Sequence, residues 1–138
     1  MDADRALRLL CCHKQKTSAR LRFLRLGASV LAPEPLPPGA CLCQDGGALR
    51  PHPAPALRRA EEYLGLGPGS LEAEAGFHVR VETPAGDVHV LLAAFTSIDP
   101  PFAAAARLGG RFVAITELAD LPALELEILR RIYEHMIG

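Results

Sequence analysis

The stretch from Phe77 to Phe95 leaves this chain few options. Phe77-His78-Val79-Arg80-Val81-Glu82 alternates apolar with polar side chains, the repeat of a strand with one buried face. Val88 to Phe95 is apolar apart from His89, as a strand buried on both faces is. Between them lies Thr83-Pro84-Ala85-Gly86-Asp87. Proline there fixes its own φ, and glycine accepts the left-handed region at low cost. The spacing predicts a β-hairpin closed by a type I turn and a glycine bulge, pairing Thr83 with Asp87 and Val81 with His89. That register puts His89 on the face of Val79 and Val81. It puts His78 with Arg80 on the other, so the two histidines would be separated.

A lone hairpin is marginal in water and needs more sheet or a helix against it. Arg111 to Thr116 supplies a further strand. Leu121 to Ile137 supplies the helix, with Leu121, Leu124, Ile128, Ile132 and Met136 on one face and Glu125, Glu127, Arg130, Arg131 and Glu134 largely opposite. A short Ala-rich helix fits 101–108, and another, Ala56–Leu64, is opened by Pro55 and closed by Gly65. Residues 3–14 read as an amphipathic helix capped by Asp2 or Asp4, and 19–26 as a strand, with a continued helix as the alternative. Seven of the 12 prolines fall within 32–55, which makes that segment irregular, with room for one strand at Gly39–Gln44. The expected architecture is one α+β domain over residues 1–138. Its mixed sheet contains the 77–95 hairpin and the 111–116 strand, with the C-terminal helix packed on it.

Composition narrows the function by exclusion. No apolar run approaches the ~20 residues of a membrane span, and the early acids Asp2 and Asp4 fit no leader segment. The expected location is the cytoplasm, where cysteines stay reduced. The net charge of −1 hides a division: ten basic and four acidic side chains precede residue 60, five and twelve follow it. Such halves attract each other within one fold. With no Trp, two Tyr and five Phe there is little on which bases could stack, which argues against nucleic acid as a partner. Gly65-Leu66-Gly67-Pro68-Gly69 lacks the Lys-Ser/Thr ending of a phosphate loop. No serine sits in a Gly-x-Ser-x-Gly elbow. The acid pairs Glu61/Glu62, Glu72/Glu74 and Glu125/Glu127 have no calcium-loop spacing and read as solvated faces.

Two constellations remain. Cys11, Cys12 and His13 with Cys41 and Cys43 bring together the donor types of a zinc or iron site. Their spacings are tighter than those of a zinc knuckle, and small buried hydrophobes are the plainer account. His89 beside Asp87, with Asp99 further on, suggests a base oriented by a carboxylate. The reading these exclusions leave is a non-catalytic accessory or protein-interaction domain, self-associating through an exposed edge strand, without cofactor or membrane partner. A small metal-binding or redox protein using the cysteines is the second reading. A small enzyme built around His89 is the third.

Overall fold

The computed structural model of the protein describes residues 6–43 and 51–137. Asp2, Asp4 and Gln44, with the rest of the Pro-rich segment up to residue 50, lie outside them. In chain order the elements are β1 (Leu7–Lys14), β2 (Leu21–Leu26), β3 (Leu31–Ala32), β4 (Cys41–Leu42), α1 (Ala54–Leu64), β5 (Leu71–Thr83), β6 (Gly86–Phe95), α2 (Phe102–Arg107), β7 (Gly110–Val113), a single 3₁₀ turn (Ile115–Glu117) and α3 (Ala123–Ile137). The strands form one seven-stranded mixed sheet, ordered β4-β5-β6-β1-β2-β7, with β3 also paired to β1. The α+β architecture expected from the hairpin, the later strand and the C-terminal helix is the one observed.

The N-terminal segment is a strand, not the expected helix. Leu7–Lys14 runs parallel to β6 from Leu7↔His89 to Cys12↔Ala94, and every residue from Leu7 to His13 is buried. A strand covered on both faces loses its alternation, and a short apolar run does not distinguish it from a buried helix. Leu10 and Cys12 face α3 together with Phe23, Val81, Val90, Ile128 and Ile132. Leu7, Leu9 and Cys11 face α1 and α2 together with Leu24, Leu91, Leu64 and Ala105.

The hairpin forms, but its register is one residue away from the expected one. Thr83 pairs with Gly86, Arg80 with His89 and Val79 with Val90. The loop is only Pro84-Ala85, because the Thr83 hydroxyl closes it: Oγ1 accepts the Ala85 N–H at 3.1 Å and donates to the Gly86 carbonyl at 2.7 Å. Strand side chains repeat every two residues, so a one-residue slip moves a whole strand to the other face. His89 therefore shares a face with His78 and Arg80, while Val79 and Val81 join Val88 and Val90 in the core against α3. The strand β5 also starts earlier than expected, at Leu71. Its pairing is interrupted between Ala73 and His78, where Gly76 takes φ +86°.

Helix α3 docks as its apolar stripe requires, with Ile128 and Ile132 fully buried. Glu125, expected in solvent, is buried instead. Its Oε2 accepts the Ser29 hydroxyl at 2.8 Å and its Oε1 accepts the Val30 N–H at 3.0 Å, which ties the turn between β2 and β3 to the helix. Arg25 reinforces that corner with a two-pronged ion pair to Asp120, at 2.8 and 2.7 Å, and a bond from Nε to the Gly27 carbonyl. This pair also joins the basic first half of the chain to the acidic second half.

Two predictions test this corner. Glu125→Ala strands a buried hydroxyl and a buried N–H and should cost about 1–3 kcal/mol, read as a lowered urea midpoint; Glu125→Gln, which keeps an acceptor, should cost less. The Arg25 guanidinium holds the Asp120 carboxyl down at about 2. A carboxylate depressed by folding stabilises the protein above its unfolded pKa, about 4, and loses that contribution as pH falls toward the folded value. Thermal stability should fall over that interval, and Asp120→Asn should flatten this part of the profile.

Candidate functional site

An opening toward an apolar interior arises where three strands part. β2 pairs with β1 only from Cys12↔Phe23 to Lys14↔Leu21, then turns away to pair with β7 from Phe23↔Val113 to Leu26↔Gly110. The edge of β1 that it vacates is taken by β3 at Leu9↔Ala32 and Leu10↔Leu31. Leu7, Leu9 and Cys11 of β1, Leu24 and Leu26 of β2, and Ala32-Pro33 thus form the floor and sides of a cleft of about 530 Å³. That volume falls in the range of small-molecule sites, which runs from about 300 to 1,000 Å³.

Helix α1 is the remaining wall. Pro53, Ala54 and Pro55 begin it, and Gly65 ends it in the left-handed region at φ +72°. Arg107 Nη2 donates to the Leu64 carbonyl at 2.6 Å, placing a cation at the negative end of the helix. Ala56, Arg59, Ala60 and Tyr63 recur at helical spacing, so one stripe of α1 faces the cleft, with Glu62 beside it. The floor is aliphatic, and the polar groups all stand on the helix side. Tyr63 is exposed and stands at the rim.

The two adjacent glutamates of α1 have different fates. Glu62 lines the cleft, as an accessible carboxylate. Glu61 is buried under the helix, where Oε2 accepts the N–H groups of Gly69 and Leu71, each at 3.0 Å. It fixes the 65–70 turn and the start of β5. Both had been read as a solvated face, and only the position of that turn reveals the difference.

The cysteine constellation does not converge. Cys11 and Cys12 are neighbours on β1 and therefore point to opposite faces, Cys11 into the cleft floor and Cys12 toward α3. His13 is buried and its Nε2 lies 2.8 Å from the Ser97 carbonyl oxygen. Cys41 is exposed on β4 and Cys43 follows it, with β5 and β6 between them and β1. Among the described residues no three His, Cys, Asp or Glu side chains are grouped so as to hold a metal ion.

His89 has a different neighbour from the one expected. Its Nδ1 lies 2.7 Å from Nε2 of His78, a pairing that the shifted register makes possible. Burial lowers the pKa of His89, Asp87 opposes that and Arg80 adds to it. Asp99 takes no part, for it lies beyond the other end of β6, accepting a bond from Gln15 at 2.9 Å. The sequence reasoning missed Arg59 and Tyr63 altogether and set Glu62 aside as part of a solvated face. The signal available was their stripe on a short helix directly after a Pro-rich segment.

No family model matches the chain, and no curated protein matches it either. Among solved structures the chain is similar to the crystal structure of C. elegans Ap4A hydrolase, with a TM-score of 0.55 over 95% of this chain and 98% of that one, at 15% sequence identity. The likeness is one of fold. This finding corrects the expectation of a non-catalytic accessory or interaction domain, which had rested on the lack of a recognisable catalytic motif. As to membranes, no helix among the described residues is long and apolar enough to cross one.

Burial pushes the Cys11 and Cys12 thiols up to about 12. Thiolate is the reactive form, so neither should be alkylated by iodoacetamide at pH 8 in the folded protein, whereas exposed Cys41 should be. Peptide mass spectrometry before and after denaturation checks this; rapid labelling of Cys11 in the native protein would show that β1 is not buried as described.

Proposed function

We propose that the protein is a small hydrolytic enzyme whose substrate, a phosphate-bearing small molecule of nucleotide type, occupies the cleft beneath α1. The observation that carries this reading is the division of the cleft into an aliphatic floor and a polar helix stripe of Arg59, Glu62 and Tyr63. A ligand with a flat organic part and an anionic part matches both surfaces. The architecture shared with C. elegans Ap4A hydrolase supports the same substrate class.

Within that reading each group has a role. Leu9, Leu24 and Leu26 receive the apolar part of the ligand by excluding water from it. The Arg59 guanidinium suits phosphate oxygens because its planar fork offers two parallel donors. Glu62 takes the proton of a water attacking phosphorus, while the bond from phosphorus to the leaving oxygen breaks. Tyr63 at the rim closes over the exposed edge of the ligand.

Phosphoanhydride hydrolysis commonly draws on divalent cations held by clustered carboxylates. The described residues do not fit such a cluster, because Glu61 is committed to the N–H groups of Gly69 and Leu71 and leaves Glu62 without a carboxylate neighbour on α1 facing the cleft. No step of the proposed reaction is routed through such a cation.

Product release from a panel of nucleoside di- and polyphosphates, followed by chromatography, tests the proposal. Turnover should be detectable and should fall by about 100-fold or more in Glu62→Gln, with the melting temperature unchanged, while Arg59→Ala should chiefly raise KM. Wild-type protein that neither binds nor cleaves any member of the panel would overturn the reading.

A further inference from the structure

We propose that His78 and His89 form a two-imidazole site for a borderline divalent transition-metal ion, separate from the cleft and independent of the hydrolase reading. The two residues stand on neighbouring antiparallel strands, diagonally across the Arg80↔His89 and His78↔Leu91 pairs. Nε2 of His78 and Nδ1 of His89 are 2.7 Å apart, and the rings lie within 22° of parallel with centroids 4.9 Å apart. Two ring nitrogens so placed point at one another's lone-pair region, so something positive must lie between them. In the structure as it stands that is one shared proton.

A metal ion can take the same place once the rings part and swing, because lone pairs that meet head-on across a hydrogen bond must turn to converge on one ion. Zinc binds imidazole nitrogen at about 2.0–2.1 Å, and tetrahedral geometry then separates two such nitrogens by about 3.3 Å. The rings need to part by well under one ångström. With the shared proton carried by His89, it passes through water to His89 Nε2 as the metal binds, so both imidazoles remain neutral and the step needs no other reactant. Both side chains are half-buried at the hairpin end of the sheet, which restrains them and still leaves water access for the remaining ligands.

The surroundings favour a cation. On the same face, Asp87 and Glu82 flank Arg80, with Arg80 Nη1 2.9 Å from Asp87 Oδ2 and 4.0 Å from Glu82 Oε2. Two carboxylates against one guanidinium leave a negative balance among the described charges around the pair. Neutral nitrogen ligands select ions such as Zn²⁺, Ni²⁺ or Cu²⁺ over Mg²⁺ and Ca²⁺, which prefer oxygen. With two protein ligands, affinity should be micromolar and exchange rapid.

The test is calorimetric titration of chelator-treated, tag-free protein carrying Cys41→Ser and Cys43→Ser, with ZnCl₂ as titrant and MgCl₂ as control. The expected result is one saturable zinc per chain, no magnesium binding, and a rise in melting temperature with zinc by linkage. His89→Ala and His78→Gln should each weaken binding by at least about tenfold and abolish the rise in melting temperature. The second variant, at an edge-side position, guards against misfolding of the first. No saturable zinc binding, or binding unaffected by both histidine variants, would overturn the proposal.

Discussion

Strand β1 has no side that faces water, and the molecule is arranged around that fact. Its alternate residues supply the centre of two separate cores, one under α3 and one under α1 and α2. Its backbone is paired to β6 along one edge and to β2 and β3 in succession along the other. A sheet covered on both faces needs elements on both sides, which is why a chain of this length carries helices above and below one layer. The division of the second edge between two partners opens the cleft.

The parts of the fold legible in the sequence were those whose pattern has one interpretation. The amphipathic stripe of α3 and the apolar run of β6 belong to that group, as does the proline-and-glycine bracket around α1. The run Leu7 to Cys12 does not, since burial on both faces erases the period that separates strand from helix. The hairpin falls between. Thr83-Pro84-Ala85-Gly86 announces a turn, yet its register depends on which donor the Thr83 hydroxyl meets, a detail below the level of residue type. That single residue of slip decides whether His78 and His89 are strangers or neighbours.

The cleft was harder to read because no motif marks it. Its lining is distributed: aliphatic residues from three strands and a helix stripe that looks, in one dimension, like ordinary surface. Charged residues misled in the same way. Glu61, Glu125 and Arg25 are all buried and bonded to backbone, each holding a turn in place. A carboxylate that satisfies two backbone N–H groups leaves no trace in composition or periodicity, because its partners are peptide groups that every residue possesses.

The commitment of Glu61 has a consequence for how such a protein can change. A side chain that anchors the 65–70 turn cannot be recruited for chemistry until something else holds that turn. The route from this sequence to one with a richer set of carboxylates in the cleft therefore begins outside it, with a substitution near Gly69 or Leu71 that brings no benefit of its own. Until then two backbone hydrogen bonds decide which of two adjacent glutamates the helix presents to the cleft.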